Sequence, residues 1–557
     1  MVWSLLAQTA VSPGGPYIAW WKVIPLVIVM ILWGRLVTWI DKDSQTVLLP
    51  RIPMNVGMLM GGLLGFFLFF LLPGFPIAII ALCVIVLAEA GTYLAIRNQK
   101  AGLGDIGDQF KGWVDSWKGG DKVVKVVAGE VQLIGKNGNL MPEPEAEDPD
   151  RPAYESIQQI LTDPLRRNAE RVDLTPVDTS VAVRYIVDGV AYGGATLEKN
   201  KAAAAIEYMK VLSGLDTNEK RKPQSGSMRV SLDGQKRELQ VVTAGSTAGE
   251  QMRALVDPKK RHQQKLDDLG MSGEQVELVR AVIQEGSGTV LVCAPRAQGL
   301  TTMLYAILRA HDAFLQHLHT IESDQATDLE GITQNKLPAT PAPGEELKTV
   351  GWVISQEPDV IMISNVNDPK TAIQLAKFAN GENRRIYVGM RAGSTFDALA
   401  MWRKMIGEDT LAMKNLRMII CGRVMRRLCG ACKVGYTPDP QTLRRLNMDP
   451  DKVGKLYQAR TQPMRDAKGN PIMCDFCKEL YFKGRMGVYE IFLIDDDVRA
   501  VIEGGGSINQ LKAVFRKQRG KYLQEAALAQ VEEGETSVQE VLRVMKADDK
   551  GSGGQRK

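Results

Sequence analysis

The chain has 557 residues, enough for several domains, and carries a formal net charge of only +5. Its lysines and arginines are spread along the sequence, which excludes the concentrated basic face of a nucleic-acid binder. Seven cysteines, four of them in two C-x-x-C pairs, exclude a disulfide framework and point to metal thiolates in a reducing compartment.

No charged residue occurs from Ile52 to Ala88. That run exceeds the ~20 residues one membrane-spanning helix needs. Pro73-Gly74-Phe75-Pro76 divides it into spans of 54–72 and 77–96, with Glu89 near the end of the second. An earlier segment, 17–40, is apolar except for Lys22 and Arg35 near its ends, where long side chains can snorkel. Trp20 and Trp21 fit an interfacial belt. The opening MVWSLLAQTA has no basic region, so a secretory signal peptide is not expected. Arg35, Lys42 and Arg51 surround the first connection, and Arg97, Lys100 and Lys111 follow the last span. The positive-inside rule then predicts three spans, the N-terminus outside and the long C-terminal part in the cytoplasm. A two-span reading, with 17–40 lying in the interface, stays open.

Residues 101–152 read as a linker, rich in Gly, Lys and Asp and ending in an acidic, proline-bearing run. Within it, 123–127 and 131–134 are candidates for a small hairpin. From 153 to 258 the pattern predicts an α+β module. SIQQILTDPLRRNAERV reads as helix, VAVRYIVDGVAY as a hairpin turning at Asp188-Gly189, AAAAIEYMKVLSGLD as a helix ending near Gly214, and the segment around Asp233-Gly234 as two further strands. Residues 266–428 alternate strands (289–292, 319–322, 359–363, 386–388) with helices, which predicts a largely parallel sheet. Residues 429–494 hold the two C-x-x-C pairs, 495–547 read as helices, and 548–557 as a disordered tail.

The most informative stretch is GTVLVCAPRAQGLTTMLYAIL, Gly288 to Leu308. It has the strand–loop–helix setting of a P-loop, G-x-x-x-x-G-K-[ST], but its eight positions read Ala294, Pro295, Arg296, Ala297, Gln298, Gly299, Leu300, Thr301. Backbone N–H groups and a helix N-terminus still offer a phosphate cradle, with Arg296, Gln298, Gly299, Thr301 and Thr302 as nucleotide-binding candidates. Ala294 replaces the first glycine. Leu300 replaces the lysine whose point charge neutralises the β- and γ-phosphates.

Cys429-Gly430-Ala431-Cys432 and Cys474-Asp475-Phe476-Cys477 form two knuckles. Four thiolates suit a tetrahedral, structural Zn²⁺ with no open position. His311, His317 and His319 cluster after the P-loop helix; a metal patch and ordinary surface or core placement are both open.

Taken in order, these motifs resemble the secretion ATPases of type II secretion, type IV pilus assembly and tight-adherence pili, from about Ser156 to about Met545. AERVDLTPVDTSVAVRYIVDGV, KVLSGLDTNEKRKPQSG, LDDLGMSGEQVELVRAVIQEGSGTVLV, QEPDVIMISNVNDPKTA and KGRMGVYEIF, with the tetracysteine, carry the likeness. N-terminal spans are not typical of that family's secretion members. The resemblance implies a RecA-like domain, ATP with Mg²⁺ as ligands, a homo- or hetero-hexameric ring, and an inner-membrane platform protein as partner. It implies a bacterial inner-membrane location. It also aligns further catalytic positions. Glu322 takes the place of the family's acidic-box glutamate, with Ser323 where an aspartate is expected. Asn365 stands at the second-motif glutamate, Arg391 at the histidine of the γ-phosphate sensor, and Ser355 at an upstream arginine.

Removing one transition-state charge commonly costs about 2.7–4 kcal/mol, and effects within one site are not additive. The expectation is therefore a pseudo-ATPase with a structural or regulatory role, anchored by its own spans. Two alternatives stay open: an active enzyme in which Arg296 and Arg391 take over charge roles, and a nucleotide sensor that binds without turnover.

Overall fold

The computed structural model describes residues 20–46, 51–101, 130–465, 468 and 470–546. The chain divides into two compact units, 1–124 and 125–557.

In the first unit, helices α1 (Trp20–Thr46), α2 (Arg51–Leu71) and α3 (Phe75–Ala101) each contain a stretch long and apolar enough to cross a membrane: Lys22–Asp41, Pro53–Leu71 and Phe75–Ile96. The break between α2 and α3 falls where Gly74 takes φ +91° and Pro76 opens the next helix. The helices interlock through aromatic edges: Trp33 meets Phe66 with centroids 6.1 Å apart, and Trp39 meets Tyr93 at 5.8 Å. The start of the first expected span, Tyr17 to Ala19, lies outside the described residues, as do 102–129 and the tail.

The second unit begins earlier than the sequence suggests. Strand β1 (Gln132–Ile134) falls inside the expected linker, yet Val131 and Leu133 are fully buried and β1 pairs antiparallel with β5 (Gln224–Leu232). The strand expected at 131–134 is thus present, but it is an edge strand of the second unit, paired with β5. The other half of the expected hairpin, 123–127, lies outside the described residues.

Helix α4 (Arg151–Arg166) stops sooner than its periodicity implies, because Asn168 turns left-handed (φ +56°) and feeds β2 (Arg171–Val177). Strands β3 (Ser180–Val187) and β4 (Val190–Glu198) turn at Asp188-Gly189, both with positive φ. Helix α5 (Lys199–Ser213) ends on left-handed Gly214. Strands β6 (Gln235–Ser246) and β7 (Gly249–Val256) complete an antiparallel sheet of order β1-β5-β6-β7-β2-β3-β4. Alternate residues of this sheet, such as Leu174, Val183 and Val241, pack against Ile157, Ile160 and Met209 of α4 and α5.

Helix α6 (Gly273–Gln284), started by a Ser272–Gln275 capping box, leads into a second sheet. Its strands are β8 (Gly288–Cys293), β9 (Leu318–Glu322), β10 (Thr333–Lys336), β11 (Val360–Ile363), β12 (Arg385–Met390), β13 (Leu416–Leu428) and β18 (Phe482–Leu493). The order is β10-β9-β11-β12-β8-β13-β18, parallel except for the β13–β18 pair. The four strands expected from the sequence are present; β10, β13 and β18 add to them. Helices α7 (Leu300–Leu308), α8 (Glu345–Ile354), α9 (Pro369–Phe378), α10 (Thr395–Ile406) and α11 (Asp409–Lys414) connect the strands.

Beyond β13 lie the pairs β14 (Val434–Tyr436) with β15 (Leu456–Gln458) and β16 (Met464–Arg465) with β17 (Pro471–Ile472), and α12 (Pro440–Arg445). The cysteine lobe is smaller than 429–494, because β18 leaves it to join the main sheet. Helices α13 (Asp496–Glu503), α14 (Ile508–Lys517), α15 (Leu523–Glu532) and α16 (Val538–Lys546) close the chain. Phe396, Phe492, Phe515 and Tyr522 tie these helices to α10 and β18 with centroid separations of 5.1–6.1 Å.

Candidate functional site: a degenerate phosphate loop and a tetracysteine centre

Parallel pairing aligns the strand ends that matter. Cys293 pairs with Met390, Val388 with Ile363, and Ile363 with Ile321. The loops after β8, β9, β11 and β12 therefore open on one edge of the sheet, where ligands of parallel α/β sheets bind. This edge gathers 294–302, Glu322, Asn365 and Arg391. Ser355 does not join them: it caps the C-terminal end of α8, ahead of β11, with its Oγ donating to the Trp352 carbonyl at 2.6 Å. Of Leu300, Asn365, Arg391 and Ser355, the first three lie at the loop edge.

The loop keeps its backbone shape. Ala297 (φ +58°) and Gly299 (φ +82°) are left-handed, and Gly299 caps α7. A Cβ on Gly299 would also press within 3.0 Å of Val424. Ala294 is fully buried. Gln298 is occupied: its Oε1 accepts from the Val424 backbone N–H at 2.8 Å, tying the loop to β13. Thr301 and Thr302 are half-buried on the first turn of α7. Thr302 Oγ1 lies 3.2 Å from Nδ1 of His262, a residue the motifs do not flag. Burial, and then the charges of Arg261, Arg309 and Arg485, hold the His262 imidazole below its ordinary pKa. A cavity of about 80 Å³ opens here between Gly299, Thr302, Arg261, Arg485 and Tyr489. Glu170 faces both cations, 3.6 Å from Arg261 and 2.9 Å from Arg485.

Leu300, at the lysine position, is 2% exposed and belongs to the apolar core with Val290, Val292, Met303 and Leu304. Glu322 is 1% exposed and fully engaged. Tyr305 Oη donates to its Oε2 at 2.5 Å, and Thr320 Oγ1 and Gln334 Nε2 donate to its Oε1 at 2.6 and 3.3 Å. Asn365 Nδ2 donates to Asn367 Oδ1 at 2.7 Å. Arg391 Nη1 reaches the Pro295 carbonyl at 3.4 Å. Its pKa is pushed down by burial and then by the charge of Arg296. Among the described residues neither arginine has an acidic partner, so the mouth of the loop carries two uncompensated cations. Leu300 thus brings no charge to the loop, and the Glu322 carboxylate is taken up by protein donors.

Asp359 and Asp368 fix backbone. Asp359 Oδ2 accepts from His317 N at 2.8 Å, and Asp368 caps α9. The histidines do not converge. His311 bonds Gln316 and Tyr387, whereas His317 and His319 face each other with Nε2 atoms 2.9 Å apart.

Cys429, Cys432, Cys474 and Cys477 do converge, as a buried group with all four ligand atoms within 4.8 Å. The Cys429–Cys474 and Cys432–Cys477 sulfurs are 3.9 and 3.5 Å apart. Four Zn–S bonds of about 2.3 Å in a tetrahedron place sulfurs about 3.8 Å apart, so the thiols fit a zinc ion. At Cys474 burial opposes ionisation, but backbone N–H donors of Cys477 and Phe476 outweigh it and bring the thiol to about 7.

A parallel sheet whose first strand runs through a loop into a glycine-capped helix defines the protein as one of the P-loop type. The sequence model of the Type II/IV secretion system protein family matches residues 146–543, and the chain belongs to that family. It is 29% identical over 410 residues to the type II secretion system protein E of Pseudomonas aeruginosa, covering 73% of this chain and 79% of that one. It is 30% identical over 399 residues to the protein of the same name in Klebsiella pneumoniae, covering 71% and 76%. The type IV pilus assembly ATPase PilB of Thermus thermophilus is 27% identical over 391 residues, covering 70% of this chain and 42% of that protein.

Proposed function

We propose that this chain is a membrane-anchored, non-hydrolysing member of its ATPase family, with a structural or regulatory role in a protein secretion or pilus assembly machine. The observation that carries this reading is Leu300. At the position where the family places a cation, the side chain is locked into the hydrophobic core. Asn365 and Arg391 replace an acid and a histidine at the same edge, and Glu322 is held by three donors. Efficient hydrolysis needs a polarised water and neutralised phosphates; Leu300 brings no charge, Asn365 is no base, and Glu322 is taken up by protein donors.

Three apolar helices whose outward side chains include Phe67, Phe70 and Leu87 support anchoring in the inner membrane, with the C-terminal unit cytoplasmic by the positive-inside rule. The resemblance supports a homo- or hetero-hexameric ring and an inner-membrane platform protein as partners. The thiols fit a structural Zn²⁺, held by Cys429, Cys432, Cys474 and Cys477, whose part would be to fix the lobe. The test is phosphate release by the full chain in detergent with Mg-ATP. Turnover comparable to an ordinary motor ATPase overturns the proposal.

A second reading has its own observation. Arg296 and Arg391 crowd the loop mouth with no acid between them, and oriented loop amides add positive potential. A nucleotide held without turnover suits that charge. Calorimetry with ATP on the wild type and on Arg296→Ala/Arg391→Ala separates the two: binding that the double variant abolishes favours a sensor, and no binding in either favours a purely structural subunit.

A further inference from the structure

The three-helix unit encloses a carboxyl group. Glu89 of α3 lies seven residues before the end of the stretch Phe75–Ile96. Trp33 of α1 lies eight before the end of Lys22–Asp41, and Gly61 of α2 eight after the start of Pro53–Leu71. At 1.5 Å per residue all three sit about 10–12 Å from the same end, in one layer. Trp33 Nε1–H donates to Glu89 Oε2 at 3.1 Å. Glu89 Oε1 is buried and has no hydrogen-bond partner among the described residues. A Cβ at Gly61 would collide with that oxygen, and one at Gly62 with the Trp33 ring. The glycine pair of α2 thus clears the space in which a carboxyl from α3 meets an indole from α1.

An ionised carboxylate in an apolar layer needs a cation or several donors. Here α1 supplies one indole N–H and α2 supplies glycines. On α3, Tyr93 lies one turn on and packs its ring against Trp39. Arg35 of α1 is exposed, and Asp41 bonds Asn55 in a separate layer. We propose that Glu89 is a proton-binding site built into the membrane unit, and that its proton occupancy sets the contact between α1 and α3 through Trp33. The proton-loaded acid suits the packing. Ionisation calls water or a cation into the layer and parts the two helices. This proposal rests on the membrane-anchored reading.

The test uses the full chain in phosphatidylcholine vesicles, treated with dicyclohexylcarbodiimide or with a water-soluble carbodiimide and read by peptide mass spectrometry. The reagent reports the protonated acid. The acid proton moves to one carbodiimide nitrogen, the carboxylate oxygen bonds to the central carbon, and acyl migration to nitrogen leaves an N-acylurea with no atom lost. The expected result is an adduct on Glu89 with the hydrophobic reagent, little with the soluble one, and none in Glu89→Gln. Labelling falls by about ten-fold or more once the pH passes a unit beyond the midpoint. Trp33→Phe removes the indole N–H that donates to Glu89 and shifts that midpoint; an unchanged midpoint overturns the coupling of the proton to Trp33. No adduct at any pH between 5 and 9, or labelling that is flat with pH, in vesicles that resist carbonate extraction overturns the proton site alone. A chain that carbonate strips from the vesicles overturns the membrane reading instead.

Discussion

The hydroxyl of Tyr305 donates to Glu322 at 2.5 Å, and this bond joins the helix after the phosphate loop to the neighbouring strand end beneath the surface. The pair makes Glu322 a fixture of the core. Glu322→Gln should therefore lower stability by about 1–3 kcal/mol, the range for disturbing a buried hydrogen-bonded polar group. Whatever residual phosphate release the chain has should stay unchanged. Thermal unfolding and a phosphate assay on the same sample check both. A loss of turnover without a loss of stability would return Glu322 to a catalytic role.

Leu300→Lys forces an ammonium group into an apolar site or bends it out towards the loop mouth. We expect the melting temperature to fall, with a cost of roughly 2–5 kcal/mol for the lost packing, and no turnover from this change alone. Adding Asn365→Glu distinguishes a decayed site from a rearranged one. A marked gain in phosphate release by the double variant means decay; a wild type that already releases phosphate, with no gain in the double variant, means that Arg296 and Arg391 fill the charge roles.

Removal of one knuckle thiol should dissolve the tetracysteine lobe. Cys474→Ser is expected to lose the metal, as read by elemental analysis against one zinc per wild-type chain, and to expose the segment 433–473 to proteolysis. Wild-type protein purified without chelator and lacking zinc would refute the assignment.

Glu540 should make the fold acid-sensitive. Burial alone would raise its pKa, but hydrogen bonds from Arg543 and Arg426 outweigh that and hold it at about 2, against an ordinary 4.5. A depressed folded value contributes stability that is complete above about 4.5 and is lost as the pH falls from there towards 2. The full contribution is on the order of 3 kcal/mol. Denaturation midpoints of the wild type and Glu540→Gln should differ at neutral pH and converge at about pH 2.

Much of this fold is readable in the chain itself. Hairpin glycines and β-branched runs place β3 to β6 of the first sheet and β8, β9, β11 and β12 of the second to within a few residues, whereas β2, β7, β10, β13 and β18 are not read from the sequence. The cysteine spacing marks the thiol centre because ligand sets are local in sequence. What stays hidden depends on distant partners. Glu322 looks like a strand-end acid until Tyr305, Thr320 and Gln334 surround it. Gln298 looks like a ligand residue until Val424 claims it. Ser355 aligns with a catalytic position, yet helix α8 carries it away from the loop edge. His262 has no motif, and only the turn before α6 brings it to Thr302. The short apolar β1 is visible as a strand at 131–134, but its partner β5 lies far along the chain and only the fold reveals it.

Strand β13 has a further consequence. Val424 grips the phosphate loop through Gln298, and four residues later the same strand ends at Leu428, directly against Cys429. Thiol lobe and phosphate loop thus hang on the same end of one strand, so a pull on the first passes through that strand to the second. In an assembly that does mechanical work, such a linkage lets load be felt where a nucleotide would sit.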